Sequence, residues 1–202
     1  MVSQELLKRA QQLNSKGLST YEIADELKVQ PDTVVWLLLR GRERALRPIP
    51  HDVFVDWSSL GSHGKRMEAM ASALADLTLQ SVRAKEFEAP EAVVAIEGSG
   101  MVLGIALAKE LSKPLAAVRP QREGRKRPGL VNPSLHRVRG RRVLVADAVL
   151  RAGITHTAAI RTLREAKAKP VAVVVLVNKS GKTKIAGVPL KSLIQIHAVT
   201  RP

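Results

Sequence analysis

Cysteine is absent from the 202 residues, so disulfides, thiolate metal sites and cysteine nucleophiles are excluded. Aromatic residues are scarce, with two Phe, two Trp and one Tyr, so aliphatic side chains must fill the core. No apolar run reaches the roughly 18 residues of a membrane-spanning helix, and no signal peptide is recognisable. A soluble, cytoplasmic protein without a membrane partner is the expectation. Long repeats and heptads are missing. His51 and His63 have no acid or second histidine at ligand spacing, so no metal site is expected. Acids are also few, 18 against 33 Lys and Arg, which leaves a formal charge of +15. That excess calls for a polyanionic partner, but charge alone does not choose between nucleic acid and phosphorylated ligands.

The positive charge is unevenly spread. Residues 119–142 carry nine Lys or Arg against one acid, whereas residues 1–47 carry eight against six. The basicity therefore cannot all belong to one N-terminal reading element. A chain of this length accommodates one sizeable α/β domain and a small one.

The most informative stretch is Val143-Leu-Val-Ala-Asp147-Ala-Val-Leu-Arg-Ala-Gly153-Ile-Thr155. Apolar residues run into an acid, an apolar pair follows, and a Gly-centred loop leads to a helical run from Thr157 to Ala168. This reads as a buried parallel strand with Asp147 at its carboxyl end, a tight loop and a helix N-terminus, whose N–H groups suit an anion. Ala92–Ile96 repeats the pattern: a short apolar run, then Gly98-Ser99-Gly100, then a helix from Met101 to Leu111. Pro114–Val118 is the next strand, ending before Arg119. Gln121–His136 is a long Gly-, Pro- and Arg-rich loop with Arg122, Arg125, Lys126 and Arg127, either a functional segment or a solvated charge run. Val171–Val177 and Leu190–Val199 read as further strands, with Asn178-Lys-Ser-Gly181 as a turn.

The Asp147 stretch resembles the phosphoribosyl-pyrophosphate (PRPP) motif of type I phosphoribosyltransferases, in which an apolar strand ends in two acids, two apolar residues and a Thr/Ser-rich loop with Gly. Asp147 matches the first acid, Val149 and Leu150 the apolar pair, and Gly153 and Thr155 the loop. Ala148 replaces the second acid, as the uracil enzymes also lack it, and Arg151 and Ala152 replace small residues. The resemblance implies that Arg151, Ala152, Gly153, Ile154 and Thr155 hold a 5′-phosphate and Asp147 the ribose. It assigns Gly98, Ser99, Gly100 and Arg119 to pyrophosphate, and makes the basic loop a flap. The orotate enzymes' flap pattern of lysines followed by His-Gly is not recognisable. An ordinary strand–loop–helix is the bland alternative.

Upstream, Ser3–Ser15 has helical apolar spacing at Leu6, Leu7, Ala10 and Leu13, and Gly17 supplies a stop. Ser19-Thr-Tyr-Glu22 has capping-box spacing before a second helix bearing Ile23, Ala24 and Leu27. Pro31 and Asp32 suit the start of a third, running to about Arg40. The segment from Gly17 to Val34 resembles the helix-turn-helix of DNA-binding regulators. Carried over, the likeness places DNA contacts on Ser19, Thr20, Tyr21, Gln30, Asp32, Thr33 and Arg40. A small helical interaction domain is the alternative. The third helix is apolar on more than one face, with Val35, Trp36 and Leu39 off the side of Val34, Leu37 and Leu38. A second contact, with the larger domain or a partner subunit, is therefore expected. Arg40–Pro50 reads as a connector, and Asp52–Trp57 alternates like a strand.

Joined in this order, the two segments resemble archaeal transcription regulators related to orotate phosphoribosyltransferase. The expected architecture is α/β: a helix-turn-helix domain over residues 1–44, a linker over 45–51, and a type I phosphoribosyltransferase-like parallel-sheet domain over 52–202. The implied function is a homodimeric DNA-binding regulator that senses PRPP, a nucleotide or a sugar phosphate. Its partners would be double-stranded DNA and that effector. No catalytic residue or resident cofactor is assigned, and Mg2+ would enter only with PRPP. The rival readings are an active orotate or purine/pyrimidine phosphoribosyltransferase with an added domain, and an RNA-binding attenuator.

Overall fold

The computed structural model describes residues 4–38, 53–121 and 128–196. Arg40, the connector, the basic loop residues Arg122, Arg125, Lys126 and Arg127, and Ala198 and Val199 lie outside the described residues. The chain divides into two compact units, Met1–Asp56 and Trp57–Pro202.

The first unit contains helices α1 (Gln4–Ser15), α2 (Thr20–Glu26) and α3 (Pro31–Leu38). Gly17, at φ 81°, ends α1 in the left-handed conformation that costs a glycine least. At α2 the expected capping box is formed: the Ser19 N–H donates to Glu22 Oε2 at 2.8 Å, and the Glu22 N–H donates to Ser19 Oγ at 3.4 Å. Two donors that the helix leaves unsatisfied are thereby paired. Leu6, Ala10, Ile23, Ala24, Val34 and Leu37 converge as an aliphatic core.

Two expectations need correction here. Trp36 belongs to this same core, and Phe54 packs against it, so the additional apolar face of α3 at Trp36 is covered within the first unit. Residues 53–57 form no strand. The alternation around Phe54 reflects a single ring buried on a helical cluster rather than pairing along a ladder.

The second unit opens with a single turn, α4 (Ser58–Gly61), and the long helix α5 (Gly64–Arg83). It continues through β1 (Ala92–Ile96), α6 (Gly100–Glu110), β2 (Leu115–Arg119), β3 (Leu130–Val131), β4 (Arg142–Leu150), α7 (Ile154–Glu165), β5 (Lys169–Asn178), β6 (Lys184–Ile185) and β7 (Val188–Gln195). The sheet order is β3-β2-β1-β4-β5-β7-β6. The five inner strands are parallel, and β3 and β6 close the edges antiparallel. The sheet is therefore mixed but dominated by parallel pairing.

Successive side chains of β1 serve opposite faces. Ala92, Val94 and Ile96 join Ala159, Ile160 and Leu163 of α7 in one cluster. Ala95 faces α6, where a Cβ placed on Gly104 would fall 2.5 Å from the Ala95 Cβ. The helix and strand meet at a distance only glycine permits. Helix α5 packs beside α6, tied by Lys109 Nζ to Glu68 Oε1 at 2.7 Å, and is also tied to β7 by the Lys191–Glu86 ion pair. At the amino end of the sheet, Glu91 accepts from the Arg142 N–H at 2.9 Å and from Arg141 at 3.0 Å.

From β1 the chain crosses to β2 on one side, while β4 and β5 continue on the other. The order of strands thus reverses between β1 and β4, and ligands of open α/β sheets bind outside the carboxyl ends at such a point.

Candidate functional site at the switch point

Two loops follow the carboxyl ends of the neighbouring strands β1 and β4. The first holds Glu97–Ser99 and opens α6 at Gly100. Gly98 takes φ 102°, a conformation that L side chains rarely adopt. Gly100 is needed for a different reason. A Cβ there would meet the Ala146 carbonyl oxygen at 2.9 Å and Asp147 Oδ1 at 3.2 Å. The start of α6 therefore lies directly against β4.

The second loop holds Arg151, Ala152 and Gly153 and opens α7. Gly153 occupies the N-cap at φ 87°, and a Cβ on it would approach Ile185 Cδ1 to 2.8 Å. Two features differ from the sequence expectation. Strand β4 runs on to Leu150, so Asp147 lies three residues inside it rather than at its end, and α7 begins at Ile154 rather than Thr157. The apolar pair Val149-Leu150 extends the ladder by pairing with Val177 and Asn178 of β5. That pairing outlasts the interruption by the acid.

Asp147 is only 1% exposed. Ser99 Oγ donates to its Oδ1 at 3.0 Å, and the Ala148 N–H donates to the same oxygen at 2.8 Å. His156 Nε2 stands 3.3 Å from Oδ2 without forming an aligned hydrogen bond. The carboxylate thus links the β1–α6 loop, through Ser99, to the first turn of α7, through His156. Lys182 Nζ donates to the Ala152 carbonyl at 3.0 Å and brings a third segment against the second loop. That segment is shaped by Asn178, whose Oδ1 accepts from the Ser180 N–H at 2.9 Å.

The structure thus brings Ser99, Gly100 and Asp147 into contact. Gly98 is exposed, and Arg151, Ala152 and Thr155 are half-buried in the second loop or at the start of α7. Ile154 is 66% exposed at the start of α7, and Arg119 is exposed at the end of β2, paired with Leu130 of β3. Sequence reasoning missed His156 and Lys182. A lone histidine after the loop gave no signal, because its partner acid lies in the strand before it. The turn at Asn178 was expected, but the reach of Lys182 across to Ala152 follows from strand order alone. Among the described residues, no three His, Cys, Asp or Glu side chains gather as a metal site.

In the first unit, the segments expected to contact DNA surround the α2–α3 turn. Tyr21 is 75% exposed, Ser19 and Asp32 are exposed, and Thr20 and Gln30 are half-buried. Thr33 is buried, and its N–H donates to the Gln30 carbonyl at 3.0 Å.

A parallel-dominated sheet with paired glycine loops at the β1/β4 switch point is the arrangement of a type I phosphoribosyltransferase fold, and residues 57–196 match the family model of the phosphoribosyl transferase domain. The chain belongs to that family. More narrowly, it is 36% identical to the transcriptional regulator GfcR of Methanosarcina mazei, covering 97% of this chain and 98% of the relative. It is also 36% identical to the GfcR of Methanocaldococcus jannaschii, over 98% and 96% of the two chains. The chain is therefore a member of this group of archaeal transcriptional regulators. Among solved structures, the orotate phosphoribosyltransferase of Aeropyrum pernix aligns with a TM-score of 0.55 at 24% identity, over 79% of this chain and 92% of that one. That of Mycobacterium tuberculosis in complex with PRPP aligns with a TM-score of 0.57 at 16% identity, over 70% and 80%. Both likenesses bear on the fold.

Proposed function

We propose that this protein is a DNA-binding transcriptional regulator in which the first unit is a helix-turn-helix and the second senses a phosphorylated metabolite. The observation that carries this reading is the likeness to GfcR regulators along 97% of the chain, which takes in both units and the segment joining them. The capped α2, the short turn and the proline-led α3 supply the local geometry of a reading head. The two glycine loops supply backbone donors for phosphate at the switch point. PRPP and nucleoside monophosphates are the effectors that the family likeness favours, with Arg119 and the Gly98–Gly100 loop on the pyrophosphate side. Dimerisation would present two α3 helices to a two-fold-related operator, with half-sites about one helical turn or a multiple apart.

Catalysis is disfavoured by Ala148, which has no oxygen to offer a ribose hydroxyl where the motif has its second acid. A genome-wide DNA pull-down, repeated with and without PRPP, tests the reading. Enrichment of discrete duplex sites, altered by the ligand, is expected. Robust pyrophosphate release with any common nucleobase would establish the enzyme instead.

A further inference from the structure

We infer that the phosphate site of this chain selects its ligand by the phosphate group and is blind to the ribose hydroxyls. The inference rests on the sensor reading above and narrows the ligand to phosphomonoesters in which the sugar diol is not read. Recognition of a ribose 2′,3′-diol in this motif depends on carboxylate oxygens presented from the strand before the loop. In this chain the second position is Ala148, fully buried and without an acceptor. The first, Asp147, is turned inward.

Both carboxylate oxygens of Asp147 are engaged. Oδ1 already accepts from the Ser99 hydroxyl and the Ala148 N–H, at 3.0 and 2.8 Å. Oδ2 faces the imidazole of His156, itself buried. Gly100 seals the remaining side, because α6 approaches β4 so closely that even a methyl group would overlap the Ala146 carbonyl. A ribose hydroxyl could reach this carboxylate only by displacing Ser99 and moving the start of α6, and the exchange would replace one charge-assisted hydrogen bond with another. Asp147 is therefore a positioning residue. It fixes the two loops against each other from within the protein and does not face the ligand.

What remains for a ligand is the anion-binding half of the motif. The second loop opens a 12-residue helix whose first-turn N–H groups lack intrahelical partners, and it carries the permanent charge of Arg151. Lys182 adds a second positive charge at Ala152. All of these recognise phosphate and none distinguishes one sugar from another.

The test is isothermal titration of the full-length chain with ribose 5-phosphate, 2-deoxyribose 5-phosphate and unphosphorylated ribose. The two phosphates should bind within twofold of each other, and ribose should not bind. Arg151→Ala should weaken both phosphates by a common factor of about ten, the size of a lost charged hydrogen bond. Asp147→Asn keeps the side-chain shape and should leave the ratio of the two affinities at one. A tenfold or greater preference for ribose 5-phosphate in the wild-type chain, abolished in Asp147→Asn, would overturn the inference while leaving the phosphate sensor intact. If neither phosphate binds, nor inorganic phosphate nor PRPP, the sensor reading falls with it. Should Asp147→Asn not fold, the wild-type ratio still decides.

Discussion

Replacing Gly100 with alanine is the sharpest probe of the switch-point architecture. The added methyl would lie 2.9 Å from the Ala146 carbonyl oxygen and 3.3 Å from the Asp147 Cα, both backbone atoms of the buried strand β4. Neither can rotate away, so α6 must shift. Overpacking of this kind costs about 1–3 kcal/mol. Alanine in place of glycine in a helix returns at most about 1 kcal/mol, and less at its first position. The net effect is a destabilisation of about 1–2 kcal/mol. For a chain of this size that lowers Tm by about 2–8 °C. The displaced helix would also draw Ser99 away from Asp147. The two tryptophans allow the second unit to be followed by itself. Trp36 lies in the first unit and Trp57 in the second, its ring against Gly61. Thermal unfolding should therefore be monitored by fluorescence in a Trp36→Phe background, with and without Gly100→Ala. An unchanged or raised Tm would show that α6 does not press on β4 as described, and the argument for an inward-facing Asp147 would fail with it.

Other expectations follow from single contacts. Ser19→Ala removes the capping box and should destabilise the first unit by about 1 kcal/mol, measured by denaturant unfolding of the whole chain through Trp36 in a Trp57→Phe background. Tyr21→Ala should weaken operator binding in a mobility-shift assay at unchanged Tm, because the side chain is exposed. Thr33→Ala, at a buried position, should lower Tm instead. Gly153→Ala forces a left-handed φ on an L residue, at about 1–2 kcal/mol, and should weaken binding of inorganic phosphate in calorimetry. The carboxyl of Glu91 is held below its usual range by the Arg142 N–H first and then by Arg141. A depressed folded-state pKa stabilises above the ordinary glutamate range and is lost as pH falls through the depressed value. Glu91→Gln should therefore flatten part of the acid limb of stability below about pH 4.5 and have its full effect at neutral pH, as read by pH-dependent melting.

Much of this molecule could be read from its residues because the informative signals were local. The Ser19 cap, the proline at the head of α3 and the apolar runs of β1 and β5 each specify an element without help from distant segments. The glycines at 98 and 153 likewise announced loops where the chain turns into helices. Long-range relations were not legible. Nothing near Asp147 in the sequence indicates that its oxygens are taken by Ser99 and faced by His156, because that arrangement depends on β1 and β4 being neighbours. The extension of β4 to Leu150 follows from a ladder with β5, which periodicity in one strand does not reveal. Phe54 misled for the opposite reason. Its flanking residues alternate as in a strand, yet the ring serves the helical core of the first unit.

Gly129 offers a consequence of another kind. A methyl group there would lie 2.2 Å from Thr162 Oγ1 and 3.1 Å from the Gln121 nitrogen, so the stem re-entering the sheet at β3 is clasped between α7 and the stem that leaves β2. The basic segment between those stems is thus a loop whose ends are already held together by the rest of the fold. The entropy of closing such a loop rises by only about 0.6 kcal/mol for each doubling of its length. Insertions, deletions and charge changes between Gln121 and Gly129 are therefore nearly free of consequence for folding. This stretch can drift among relatives, exchanging one anion preference for another, while the sheet beneath it stays the same.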